Sequence, residues 1–202
     1  MADKIQYLKR GDTLFPNDTQ AQVTARVGNS TWEGRERTFK NEDSANPGSF
    51  RDGSEVICRL VRNRSGIALK GKRPVVYVPG SRTELDGYAS VASESVAGIM
   101  DEFLPSAGLR DDDWGWITVK GQTLYTSQET SNGENSWAID DFLVASAHGT
   151  TSGSTGGHLK NFTLDGKTVS DTALLNKVGR AMVANTSSDT ATDRLIDVDV
   201  WR

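Results

Sequence analysis

A single cysteine in 202 residues leaves no partner for an internal disulfide, so burial and hydrogen bonding must hold the fold. Cys58 lies in SEVICRLV, an apolar run that reads as a buried strand, where cysteine acts as a small apolar side chain. No stretch approaches the roughly 20 apolar residues of a membrane span. The opening MADKIQYLKR also lacks the apolar core of a secretory signal, which predicts cytoplasmic folding and no membrane partner. The two histidines, His148 and His158, and the distant cysteine match no zinc-ligand spacing. The mild net charge of −4 argues against whole-protein attraction to nucleic acid. Without a secretion signal, the N-x-[ST] sequons at Asn17, Asn29, Asn63, Asn161 and Asn185 read as polar loop chemistry.

What the chain does have is turn material. Twenty glycines and many Ser, Thr, Asn and Asp residues divide it into short segments. From residue 9 to about 53 it is polar, with isolated apolar residues Leu14, Phe15, Val23, Val27, Trp32, Phe39 and Phe50. Such a segment cannot offset its ordering entropy by burial within itself, so it reads as an extended arm over residues 1–52, ordered against another surface. Residues 53–202 read as a β-rich domain. EVICRLVRN predicts a strand, IALKGKRPVVYVPG a strand pair about Gly71, and GYASVASESVAGIMDEFL one or two more. In WITVK, Ile117 and Val119 alternate with Thr118 and Lys120, the period of a half-buried strand. WAIDDFLVASA is a further strand candidate, followed by the Gly/Ser/Thr-rich loop HGTTSGSTGGH.

Near the C-terminus, SDTALLNKVGRAM supports a helix capped by Ser170, whereas KVGRAMVANTS paired with RLIDVDVW supports a hairpin. The hairpin is favoured, with Ile196, Val198 and Val200 on one face and Asp197 and Asp199 on the other. The predicted class is mainly β, a small β-barrel or β-sandwich with an extended N-terminal arm and little helix.

The chemistry on offer is thin. Asp111, Asp112 and Asp113 precede Trp114 and Trp116 and supply carboxylates for a hard cation, yet their spacing is not that of an EF-hand. Adjacent residues in extended chain point to opposite faces, so a turn that launches a strand is preferred to a metal site. GSTGG lacks the strand-to-helix setting of a nucleophile elbow. DGKT at 165–168 fails as a phosphate loop because Asn161 stands where the first glycine belongs. Neither a cofactor nor a metal is expected. The strongest interaction feature is the basic run Arg59, Arg62, Arg64, Lys70, Lys72 and Arg73, which on neighbouring strands could share a face toward an acidic protein; its alternative is a solvated, charged edge.

VRNRSGIALKGKRPVVYV, DGYASVASESVAGIMDEFLPSAGLRDDDWGWITVKGQTLYT and VGRAMVANTSSDTATDRLIDVDVW together resemble the strand series of tailed-phage capsid decoration, or head cement, proteins. The resemblance spans residues 56–201 and leaves the polar arm outside it. It implies a non-enzymatic virion protein made in the host cytoplasm that sits on the capsid exterior, binds the major capsid protein at subunit junctions and forms a homo-oligomer, a trimer by analogy. Trp32, Phe39, Phe50, Arg62, Arg64, Lys72 and Arg73 are the capsid or partner contacts so predicted. A tail or head-completion protein is the nearest alternative. A more distant one is a carbohydrate-binding module or hydrolase using Trp114, Trp116, Asp111 to Asp113 and His148.

Overall fold

The computed structural model describes residues 8–25, 34–89, 95–126, 137–146, 157–161, 177–185 and 193–200. Among them is one short helix, α1 (Gln20–Ala25). The strands are β1 (Glu36–Glu42), β2 (Phe50–Asn63), β3 (Pro74–Tyr77), β4 (Glu84–Tyr88), β5 (Val96–Met100), β6 (Trp114–Thr126), β7 (Phe142–Ser146), β8 (His158–Asn161), β9 (Lys177–Ala181) and β10 (Asp193–Asp199). The expected mainly β class is what the chain adopts. Its ten strands form one sheet in the order β1-β2-β4-β3-β5-β6-β10-β9-β7-β8, and a further β2–β6 pairing bends part of it into a partial ring rather than a clear barrel.

Three apolar clusters organise this sheet. Val61, Leu69, Val75, Leu85, Met100, Ile117 and their neighbours pack together from the ring strands β2 to β6. Val76, Val96 and Ile99, from β3 and β5, pack instead with Tyr125, Leu143, Leu159, Val178, Ile196 and Val198. The third cluster joins Val56, Cys58 and Leu60 of β2 and Trp114 and Trp116 of β6 to Leu8, Leu14 and Phe15. Leu8, Leu14 and Phe15 of the polar N-terminal segment are thereby packed on this chain's own sheet. Residues 36–42 of that segment add the edge strand β1, registered from Glu36 opposite Arg59 to Glu42 opposite Phe50.

That cover changes the expected character of β6. Alternation predicted a half-buried strand, yet Thr118 is as buried as Ile117 and Val119. The N-terminal segment closes the second face, as happens to strands covered on both sides. β6 also serves two parts of the sheet: residues 114–120 pair with β2, while 120–126 pair with β10. The change falls at Gly121, where φ is +98° and a Cβ would lie 2.8 Å from the Glu55 carbonyl oxygen. Glycine permits both the backbone angle and the close approach.

Two expected strands are shorter than the sequence predicted. The pair about Gly71 is only β3, with Leu69 making an isolated bridge to Leu109. Gly71 abuts the Asp101 carbonyl and Lys72 has a φ of 64°, so the chain turns aside instead of forming a hairpin. Similarly, WAIDDFLVASA yields β7 and an isolated Trp137 to Asn185 bridge, separated by Asp140 at a φ of 70°. At the C-terminus the hairpin reading holds: β9 and β10 pair antiparallel, Ile196 and Val198 are buried and Asp199 is exposed. Residues 171–176 of the competing helix lie outside the described residues, as do His148 and the Gly/Ser/Thr loop over 147–156.

Candidate binding surface

The three consecutive aspartates diverge. Asp111 accepts the Gly66 N–H at 2.9 Å. Asp112, in the left-handed region at a φ of 63°, accepts from Arg62 at 2.7 Å and Arg64 at 3.3 Å. Asp113 is fully buried and accepts the N–H groups of Phe15 and Trp114, at 3.2 and 2.8 Å, while Arg110 reaches its second oxygen at 3.2 Å. Arg110 also donates to the carbonyls of Phe15 and Asp18. Among the described residues, no group of three His, Cys, Asp or Glu side chains could hold a metal ion. The turn ties loops to the N-terminal segment, and its carboxylates are occupied in doing so.

A second charged cluster escaped the sequence reading. Asp101 and Glu102, adjacent and buried after β5, meet two arginines from the polar N-terminal region. Arg10 contacts Asp101 at 3.0 Å and Glu102 at 3.5 Å, and the Gly11 N–H donates to Asp101 at 2.6 Å. Arg51 grips both Glu102 oxygens, at 3.0 and 3.1 Å, and reaches Asp43 at 2.8 Å. Burial pushes the Asp101 carboxyl above its ordinary range, against the opposing pull of Arg10. Burial also pushes the nearby Cys58 thiol up to about 12, with the Asp101 charge adding to the effect. Arginines scattered through a polar segment carry no spacing signal, so only the fold reveals this arrangement.

The residues predicted to contact a partner are dispersed. Trp32 lies outside the described residues. Phe39 is half-buried, edge-on to Trp116 with ring centroids 5.3 Å apart. Phe50 remains 56% exposed, with Lys40 5.5 Å above its ring. Arg62 is buried against Asp112 and within 3.7 Å of Glu84, whereas the Arg64 side chain keeps 42% exposure. Lys72 pairs with Asp193 at 2.5 Å, and Arg73 is buried with its guanidinium 5.6 Å over Tyr88. Nearby, Arg59 bonds Glu36 and the Tyr77 hydroxyl and lines an open cleft of about 480 Å³. The basic run is therefore largely matched by acids of this chain and not displayed as one patch.

Trp114 and Trp116 are buried, Trp114 edge-on to Phe15 at 5.6 Å, so they pack the core and present no sugar-stacking face. Exposed apolar area gathers elsewhere. Ile139, Phe142, Met182 and Val183 stand out of the end of the β7–β9 pair, at residues the sequence offered as strand material or, for Met182, also as the end of a helix.

No family model and no curated protein matches the chain. Among solved structures, it is similar to the head fiber gp8.5 N base of bacteriophage phi29, at 8% identity and a TM-score of 0.40. The match covers 73% of this chain and 97% of that one. A likeness so slight assigns no role.

Proposed function

We propose that this chain is a non-enzymatic phage virion protein that binds the outer surface of a capsid and reinforces the shell at subunit junctions. The observation that carries the reading is the use of its reactive side chains. Asp111, Asp112, Asp113, Asp101 and Glu102 are committed to backbone amides and guanidinium groups that lock loops and the N-terminal segment onto a continuous sheet. Chemistry of that kind makes a stiff body with preformed surface features, the preorganisation that adhesion requires. The likeness of residues 56–201 to head decoration sequences supports the same reading. Exposed Phe50 and Arg64 are the contact residues that remain most available to the major capsid protein. Many copies on one lattice turn a modest contact into firm retention through effective concentration.

Particles assembled with and without the protein provide the test. On this reading, adding the purified chain to bare particles raises the temperature at which the shell releases its genome. Binding without any such rise contradicts reinforcement, and failure to bind contradicts the capsid role altogether.

A further inference from the structure

β3 runs into the open cleft of about 480 Å³, and two irregularities of strand pairing shape it. Toward β5, Val75 and Val76 face Gly98 and Val96, which leaves Ala97 over. Toward β4, Val76 and Tyr77 face Gly87 and Leu85, which leaves Asp86 over. An extra residue of this kind bends its strand and re-aims its side chain. Ala97 and Asp86 both line the cleft. Buried Val76, Val96 and Ala97 supply an apolar wall there, and Asp86 is an exposed acid beside it.

Hydrogen-bond donors gather along the same cleft. Arg59 gives Nε and Nη2 to Glu36, at 3.0 and 2.6 Å, and Nη1 to the Tyr77 hydroxyl oxygen at 2.8 Å. Tyr77 accepts that bond, and its own hydroxyl hydrogen meets no acceptor among the described residues. Burial pushes the phenol above its ordinary range, against the pull of the Arg59 and Arg82 charges, so the hydroxyl keeps this hydrogen at neutral pH. Arg82 is exposed and makes no hydrogen bond or ion pair among the described residues. Its backbone is nonetheless fixed. Pro79 and Gly80, the latter at a φ of 84°, form a tight turn closed by the Ser81 N–H on the Val78 carbonyl at 2.9 Å. The Ser81 hydroxyl oxygen then accepts the Thr83 and Glu84 N–H groups at 3.1 and 3.0 Å. An unmatched cation and an unmatched hydroxyl donor thus stand at an apolar wall, held by a loop that needs no further ordering.

We propose that this cleft binds a single carboxylate carried on a short aliphatic body. Arg82 and the Tyr77 hydroxyl donate to the carboxylate, and Val76, Val96 and Ala97 take the aliphatic part. A cleft of this size, apolar with a few fixed polar groups, is the usual form of a small-ligand site. The fixed charge of Asp86 rejects ligands with a second negative charge, so the site discriminates by repulsion as well as by attraction. It uses neither Phe50 nor Arg64, and it stands whether or not the chain binds a capsid.

Titration of the isotope-labelled full chain with isocaproate and with N-acetyl-leucine, followed by amide chemical shifts, tests it. Saturable shifts are expected over residues 76–82 and 95–97. Isocaproamide, which lacks the charge, and acetate, which lacks the aliphatic body, should bind about tenfold more weakly or worse. Binding of N-acetyl-leucine alone assigns the ligand to a protein chain end, and binding of both probes admits a free acid. Arg82→Ala, at an exposed side chain whose loss leaves the fold intact, should weaken binding about tenfold or more. Tyr77→Phe should weaken it about fivefold. Asp86→Asn should tighten it, and Arg64→Ala, at an exposed arginine outside the cleft, should leave it unchanged. The proposal is overturned by the absence of saturable shifts, by equal binding of isocaproamide, by indifference to Arg82→Ala or by weaker binding in Asp86→Asn.

Discussion

The Asp113 carboxylate accepts the Phe15 backbone N–H at 3.2 Å across 98 positions of sequence. One buried charge thus couples the start of β6 to the N-terminal segment that covers it. Replacing Asp113 with Ala leaves the Phe15 and Trp114 amides without that acceptor and removes one of the partners of Arg110. Hydrogen bonds to charged groups are worth about 1.5–3 kcal/mol each, and the expected loss is ~3 kcal/mol in urea unfolding. Asp111→Ala, which removes the exposed bond to the Gly66 N–H, is expected to cost less than about 1 kcal/mol. Added calcium should leave both melting temperatures unchanged, because the three carboxylates point to different partners.

Phe15 seals Trp114 from solvent, and Phe39 does the same for Trp116. Phe15→Ala should destabilise the protein by about 3–5 kcal/mol, the usual range for a deleted core aromatic. Tryptophan emission should shift to longer wavelength in the folded variant as Trp114 meets water. An unshifted spectrum with unchanged stability would mean that the N-terminal segment does not cover β6.

The Cys58 thiol gives a pH dependence of known sign. Its value rises from 9.0 to about 12 in the fold, so the native state keeps the proton in the interval where the unfolded chain loses it. The stability tied to this group is full below pH 9.0 and is lost as pH climbs toward 12. Compared with Cys58→Ala, the unmodified protein should lose roughly 2 kcal/mol between about pH 8 and pH 10.5. Denaturation curves of the two proteins at matched pH measure that difference. The native thiol should also resist thiol reagents until the chain unfolds.

Gly179 marks the closest backbone approach in the C-terminal hairpin. A Cβ there would lie 2.0 Å from the Asp197 carbonyl oxygen. Gly179→Ala should therefore separate β9 from β10, at a cost of about 3 kcal/mol or more, and raise amide exchange along Asp193 to Asp199. Arg180→Ala, one residue away on the exposed face, is the matched control.

Strand content was legible because alternation at Ile117 and Val119, and at Ile196, Val198 and Val200, is a local signal that folding preserves. The cover over Thr118 was not, since it depends on Leu8, Leu14 and Phe15 arriving from a polar segment whose apolar residues have no period. Positive φ at Lys72 and Asp140 shortened two expected strands, and neither residue carries the glycine that advertises a turn. The Asp111 to Asp113 carboxylates diverge because the chain turns here with Asp112 at positive φ, not through the extended-chain alternation on which that expectation rested. The Arg10, Arg51, Asp101 and Glu102 cluster was hidden because its members come from three distant places in the chain. Ile139, Phe142, Met182 and Val183 carried no distinguishing sequence signal, and only their exposure sets them apart.

The capsid role is tested most directly by quantitative mass spectrometry of gradient-purified particles from a lysate that expresses this chain. A fixed, near-integer ratio to the major shell protein, with hundreds of copies per particle, is the result predicted. Absence from particles, or a mere handful of copies, contradicts it.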